Sequence, residues 1–442
     1  MANMTAAADL PPLPSYTLSP LPPLLSPIPD KFLTLLLPIV AYWIVSLFFH
    51  ILDTYDLLPQ YRLHTPAEVA KRNRVSMRDV VRDVIIQQAI QTLIGHILGL
   101  TEPDDVVGRE GYDVAVWAQR VRIAQRAVPV ILTSIGVDAI SLAKSLAVSY
   151  PALGVAVAGG RSPALLPHTP LTVDGVTRSF ASWEIVLAQA IYWLIVPALQ
   201  FGLAIFIVDT WQYFLHRAMH MNQWLYRTFH SRHHRLYVPY AFGALYNHPF
   251  EGFLLDTLGA AIAFKVAGLT TRQGMWFFTG STIKTVDDHC GYALPWDPLQ
   301  QLTGNNAGYH DVHHQSWGIK ANFSQPFFTF WDRALGTIWT GGDVSARYER
   351  SRVAANRQVT LDNEQAKSTA SKVDDRPEAS TQTPQEEEGE EEVDTKKHLQ
   401  RHSARKSTSS SPNVESLKNL RGRVSGSMHG RSGGVLGMDS GR

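Results

Sequence analysis

Cysteine occurs once in the 442 residues, at position 290, which excludes an intramolecular disulfide and any cysteine-based metal cluster. Charge is scarce as well. Only 18% of residues are charged, and a net charge of +1 excludes a dominant electrostatic partner such as duplex DNA, so no nucleic acid is expected. Residues 1–30 contain no Lys or Arg and so lack the basic start of a secretory signal. Residues 351–442 hold 15 of the 40 Lys+Arg and 14 of the 39 Asp+Glu. The rest of the chain is apolar, aromatic and sparsely charged, the composition of a chain whose solvent is partly lipid.

Eight prolines between Pro11 and Pro29 make residues 1–30 an extended, unpacked leader. Residues 32–49 follow without a charge, 18 residues. That is about the length that crosses ~30 Å of hydrocarbon, with Pro38 a kink and not a stop. Arg62, Lys71, Arg72, Arg74, Arg78 and Arg82 come next, which places the leader in a lumen and this loop in the cytosol. A second uncharged span, residues 185–208, runs on to Arg217, Arg227, Arg232 and Arg235, so this end also faces the cytosol. Two cytosolic ends require an odd number of crossings between about residues 83 and 184. Residues 84–100 and 127–160 are the candidates, and each is equally open to a re-entrant or interfacial reading. Residues 253–286 are long enough for a tight helical hairpin turning at Gly268-Leu-Thr-Thr271. The Ser-, Glu- and Lys-rich residues 351–442 are expected to be disordered. The expected fold is all-α: an integral membrane protein with about four transmembrane helices and a cytosolic, histidine-rich helical cap for two metals. Its organisation is a leader (1–30), an N-terminal membrane region (31–184), a histidine-box domain (185–345) and the tail.

Seventeen histidines are the anomaly, and between residues 216 and 314 they are patterned. His216 and His220 form H-x3-H; His230, His233 and His234 form H-x2-H-H; His310, His313 and His314 repeat H-x2-H-H. On an α-helix, side chains at i, i+3 and i+4 share a face, so each motif presents two or three imidazoles to a common point. Imidazole coordinates metal without first shedding a strongly held proton. Lone histidines such as His50, His64, His96 and His168 are more often simply hydrogen-bonded. Eight patterned histidines exceed the needs of one ion, and two ions with four or so ligands each is the economical count. Nitrogen-rich sites with open positions suit iron, which changes oxidation state, whereas zinc does not. Beside lipid-embedded helices, a redox-active pair points to oxidation of an unactivated C–H bond in a lipid.

The three boxes, their order and their placement around a membrane hairpin resemble the fatty acid hydroxylase superfamily of sterol desaturases, methyl sterol oxidases and lipid hydroxylases. Within it, Lys284-Thr-Val-Asp-Asp-His-Cys-Gly-Tyr292, Leu294-Pro-Trp-Asp-Pro298, Asn305-Asn-Ala-Gly-Tyr-His-Asp-Val-His-His-Gln315 and Asn322-Phe-Ser-Gln-Pro-Phe-Phe-Thr-Phe-Trp-Asp332 are most similar to the fungal and plant sphinganine C4-hydroxylases. The likeness covers roughly residues 30–345, and the histidine boxes alone fix only the superfamily. It implies two iron ions held by His216, His220, His230, His233, His234, His289, His310, His313 and His314, with His248 as a further candidate. The chain departs from the fatty acid 2-hydroxylase pattern at Thr285, where those enzymes resemble one another in a second histidine four residues before the counterpart of His289. Asp287 or Asp288 is then a candidate oxygen ligand or outer partner of an imidazole, against a plain helix-end role. Cys290 reads as a small buried residue, and the aromatic run from Phe323 to Trp331 as an acyl slot or an interfacial anchor.

The implied reaction is C4 hydroxylation of sphinganine or dihydroceramide with O2, at the endoplasmic reticulum membrane. Its electrons would come from NAD(P)H through cytochrome b5 and its reductase. His248-Pro-Phe-Glu251 lacks the glycines of a fused haem motif, so the donor is expected to be a separate protein. The competing expectations are a sterol desaturase or methyl oxidase of the same superfamily and, from another class, a membrane metal transporter. The transporter is disfavoured because the histidine clusters follow the spans and do not lie within them.

Overall fold

The computed structural model describes residues 10–160 and 180–374. Helix α1 (Asp30–Thr54) buries Tyr42, Ser46, Phe49 and Leu52 at helical spacing but leaves Leu36, Val40, Ile44, Leu47 and Phe48 exposed. A helix apolar all round has the composition of a membrane span, and Pro38 is accommodated inside it. Next come α2 (Pro66–Arg72), which Thr65 and Glu68 start with a capping box, and α3 (Met77–Gly99). They are followed by α4 (Glu110–Ser134), α5 (Ala139–Ser149) and α6 (Pro151–Val157). Helices α7 (Ser182–Ala190) and α8 (Val196–Met221) join through a π-turn at Ile191–Ile195 into one helix of 40 residues.

By length and composition, α1 and α7–α8 are long and apolar enough to cross a membrane, and α4 with α5 adds a third candidate if that pair, bent by 120°, is one broken span. The expected continuous stretch at residues 127–160 is therefore three pieces. The chain turns at Gly136, whose φ of +83° is natural to glycine, and Asp138 caps α5 through the Ile140 and Ser141 amides. The other candidate, residues 84–100, lies within α3, which fails the apolar test.

The expected hairpin is present. Residues Pro249–Gly252 (α9), a π-turn at Phe253–Leu258 and Gly259–Val266 (α10) form its first arm, and Thr271–Asp288 (α11) its second. Gly268 makes the turn at φ +63°, and a Thr270–Gln273 capping box starts α11. The first arm packs on α8 where Gly259 lets Trp211 approach; a Cβ there would lie 2.5 Å from Trp211 Cδ1. A second core joins α1, α3 and α11 to the loop that follows the second histidine box: Tyr42, Phe49, Val80, Val84, Leu236, Phe242, Tyr246, Val286 and Tyr292. Tyr42 donates to the Phe242 carbonyl (2.7 Å), which ties the loop after the second histidine box to α1, and Trp43 donates to Gln88 (3.0 Å), which ties α1 to α3.

Two expectations are revised. The described part of the leader is extended but packed: β1 (Ser19–Pro20) pairs antiparallel with β2 (Val106–Val107), and Gln119 and Arg272 donate to the Pro11 and Pro22 carbonyls. Prolines lack the donors for a helix but leave their carbonyls to accept. Residues 345–374, most of them in the segment expected to be disordered, form a helix that packs on α2; residues 375–442 lie outside the described residues. Tyr348 and Ala355 supply the anchors that a reading by composition overlooks.

Candidate metal centre

Four short stretches deliver the histidines. His216 and His220 lie one turn apart at the end of α8. His230, His233 and His234 ride on a 3₁₀ turn, His230–Arg235, and His289 ends α11. His310, His313 and His314 belong to α12 (Ala307–His314), which Asn306 caps through the Tyr309 amide (2.9 Å). All nine are buried.

They sort into two groups, each with one nitrogen per ring within 4.8 Å of the others: His216, His220, His230, His234 and His313 in the first, His233, His289, His310 and His314 in the second. Each H-x2-H-H motif serves both. The second box gives its outer pair to the first group and His233 to the second; the third box gives its outer pair to the second group and His313 to the first. His216 and His220 complete the first group as an i, i+4 pair. At the matching place in the second group His289 stands alone, because position 285, four residues earlier, is threonine, its hydroxyl bonded to the Ser281 carbonyl (2.9 Å).

The ring nitrogens show whether a cation fits. The Nδ1 of His216, His233, His289, His313 and His314 each meets a backbone carbonyl, of Phe323, Tyr246, Thr285, Ala321 and Leu236 respectively, at 2.7–3.2 Å. His230 Nδ1 meets the Glu251 carboxylate. Carbonyls only accept and carboxylates ordinarily accept, so each Nδ1 carries the proton and each Nε2 presents a bare lone pair. Those lone pairs converge: His216 to His230 at 3.1 Å, His234 to His230 at 3.0 Å, His310 to His289 at 3.1 Å and His289 to His233 at 3.4 Å. His313 Nε2 is buried without any partner. Facing lone pairs repel unless a cation lies between them. Metal–nitrogen bonds of ~2.0–2.1 Å place adjacent ligands about 2.9 Å apart in an octahedron and about 3.3 Å in a tetrahedron, so the spacing fits first-row metals. Burial, reinforced by the crowded imidazoles, holds His230, His234, His310, His313 and His314 far below the ordinary histidine range. The same burial brings His233 down to about 3 and His289 to about 4. Protons therefore do not compete for the lone pairs at neutral pH.

The other candidates lie elsewhere. His248 caps α9 by accepting from the Phe250 amide (3.2 Å) and packs on Phe229. His248→Ala is expected to leave metal content and turnover within about twofold of wild type, with a cap loss of about 1 kcal/mol seen only in thermal stability. Asp287 accepts from Gln300 (2.9 Å); Asp288 pairs with buried Lys284 and accepts from Asn305 (2.8 Å). Neither aspartate belongs to a metal group. Cys290 is buried beside Tyr292 and Gln300. The aromatic run divides: Phe323 is buried against the rings of His216, His220 and His313, whereas Phe328 and Phe330 are exposed.

Two outer elements escape sequence reading. Glu251, which orients His230, stands in the Asn247–Glu251 stretch with no feature marking it as an imidazole partner. Asp311, between His310 and His313 in the chain, accepts from His64 (2.9 Å) and Tyr348 (2.7 Å); His64 also meets Glu68 (3.0 Å), and Arg72 bridges Glu68 to Gln315. This buried network clamps α12 to α2 and to helix α14 (Ser345–Asp374), which follows the short α13 (Phe330–Ala334). Outer partners of this kind fix the ring orientation of metal ligands.

Comparison with known proteins agrees with this geometry. The Fatty acid hydroxylase family model matches residues 201–337, which contain all nine clustered histidines. A sphingolipid C4-hydroxylase of Saccharomyces cerevisiae is 41% identical over 349 residues, 79% of this chain and 81% of that protein. A sphingolipid C4-hydroxylase of Schizosaccharomyces pombe is 41% identical over 73% of this chain and 93% of its own. Sphinganine C4-monooxygenase 2 of Arabidopsis thaliana is 37% identical over 70% and 88%. No solved structure matches the chain. With two converging sets of imidazole lone pairs inside the matched region, and similarity that extends over 349 residues, the chain belongs to the fatty acid hydroxylase family.

Proposed function

We propose that the protein is a membrane monooxygenase that hydroxylates C4 of sphinganine, free or as dihydroceramide, to give the phytosphingosine backbone. The observation that carries this reading is the pair of buried all-histidine clusters in a chain alike over most of its length to enzymes named for that reaction. Two iron ions, one per cluster, supply O2 activation and C–H oxidation when bound. Overall, one atom of O2 becomes the new hydroxyl and the other leaves as water. The two electrons and two protons this consumes come from outside the chain, with cytochrome b5 and its NAD(P)H-dependent reductase as the donor. The chain's own part is positional. Carbonyls and Glu251 hold the rings in register, the α12 clamp fixes three histidines at once, and burial keeps bulk water from the reacting centre.

The hydroxylase domain spans residues 185–345, and the region 31–184 embeds it, with about four crossings of the endoplasmic reticulum membrane in all. Arg217, Arg227, Arg232 and Arg235 beside the histidines support a cytosolic centre, within reach of a soluble donor domain. Mass spectrometry of products from membranes supplied with sphinganine, NADH, cytochrome b5 with its reductase and heavy-isotope O2 tests the reading. A C4-hydroxylated base carrying one heavy oxygen is expected. A product short of two hydrogens without added oxygen would move the protein to a desaturase, and turnover of sterols alone would overturn the substrate assignment.

A further inference from the structure

A small cavity touches both histidine groups, with His230 on one side and His233, His289 and His310 on the other. It offers about 20 Å³ to the centre of a water-sized sphere, room for about one water or one hydroxyl. Its remaining wall is rich in polar groups short of partners. Glu251 Oε2 and Asn305 Oδ1 are buried without a partner. The Asp256 carboxylate is only loosely engaged, at 3.5 Å from Gln212 Nε2 and 3.4 Å from Asn247 Nδ2. A buried polar group left unpaired costs roughly 1–3 kcal/mol, so the cavity calls for a group that can both donate and accept hydrogen bonds, as a hydroxyl does. No Lys or Arg lines it among the described residues, and the amides of Gln212 and Asn247 reach Asp256 only at 3.5 and 3.4 Å.

The substrate proposed above, on which this inference rests, brings such a group to this place. In a long-chain 2-amino-1,3-diol the carbon oxidised is bonded to the carbon bearing the 3-hydroxyl. Holding C4 in reach of the metals at about 3–3.5 Å therefore holds that hydroxyl two bonds from the same spot. A simple acyl chain or a sterol methyl group carries no hydroxyl there and would leave the acceptors unpaired. The cavity has room for the hydroxyl but not for the whole headgroup, so the amine and the 1-hydroxyl lie outside it.

We propose that Asp256, steadied by Gln212 and Asn247, accepts the hydrogen bond of the substrate's 3-hydroxyl and so determines specificity for a lipid with a hydroxyl next to the oxidised carbon. Asp256 is in π-helical backbone, Phe253–Leu258, where the widened turn aims its side chain between Gln212 and Asn247; π-turns recur at functional sites.

The test compares sphinganine with its 3-deoxy analogue in membranes holding the full chain, for wild type, Asp256→Asn and Asp256→Leu. Iron content is measured alongside, and binding of each base is measured on anaerobic protein. The wild type is expected to prefer sphinganine in kcat/KM by at least about 100-fold, since sites built around a substrate hydroxyl can reject the analogue lacking it by about 10⁴-fold or more. In Asp256→Asn that preference falls at least tenfold and in Asp256→Leu it approaches unity, with iron retained and the binding preference lost in parallel. Should Asp256→Leu fail to fold, Asp256→Asn decides. Equal loss on both bases gives Asp256 a merely structural role and overturns the proposal. An undiscriminating wild type shows that the cavity holds only water, which also overturns it. Failure of iron-loaded wild type to form any C4 product from sphinganine defeats the functional reading itself, and this proposal with it.

Discussion

His310→Ala is expected to lower bound iron from two ions per chain to about one, and turnover by more than the roughly 100-fold that loss of an outer partner of a metal ligand costs. The reason is arithmetic within the second group. It has four histidines, His310 Nε2 lies 3.1 Å from both His289 and His314, and α12 has no neighbouring donor to replace it. Three imidazoles remain, which hold metal weakly. Removing the ring also empties volume in a fully buried site, so thermal stability falls by about 1–3 kcal/mol even before metal is lost. Metal analysis by mass spectrometry on purified protein, beside product formation, checks both numbers. Full iron occupancy with full turnover would remove His310 from the centre.

Asp311→Ala should have the largest effect on stability without touching a ligand. Its carboxylate faces His64 at 2.9 Å and Tyr348 at 2.7 Å inside the protein, and removing one partner of a buried pair costs roughly 3–5 kcal/mol, here toward the low end because Glu68 still faces His64. Burial opposes charging of His64, but Asp311 and Glu68 on either side outweigh it and raise its pKa to about 9 from 6.5. A raised folded-state value means that protonation favours the folded form. The contribution is complete below pH 6.5 and is lost as pH rises through about 9. The wild-type thermal midpoint in detergent should therefore decline between these values, and Asp311→Ala, in which only Glu68 still favours the charged His64, should start lower and show a smaller decline. Far-ultraviolet circular dichroism with temperature, at a series of pH values, measures both.

The centre was legible in the sequence because imidazoles at i, i+3 and i+4 leave a mark that spacing alone reveals. His216 with His220, and His310 with His314, converge as that spacing requires. The division of ligands was not legible. In each H-x2-H-H box the middle histidine leaves its neighbours for the other group, and its destination depends on which element packs across from it. Glu251 and Tyr348 were invisible for a related reason: a partner 21 or 37 residues from its target has no local periodicity. The hairpin around Gly268 was legible from its turn chemistry, whereas residues 127–160 read as one apolar stretch because a break made by Gly136 and Asp138 changes average hydropathy very little.

The threonine at position 285 gives the centre an order of filling. With five imidazoles at one position and four at the other, two identical ions are not held alike. If each group holds one ion as proposed, scarce metal should empty the four-histidine position first and leave a half-loaded form without a working pair. Activity would then follow the weaker site's occupancy alone: a single saturation curve, set by the position where one imidazole is missing, would govern how the enzyme responds to iron supply.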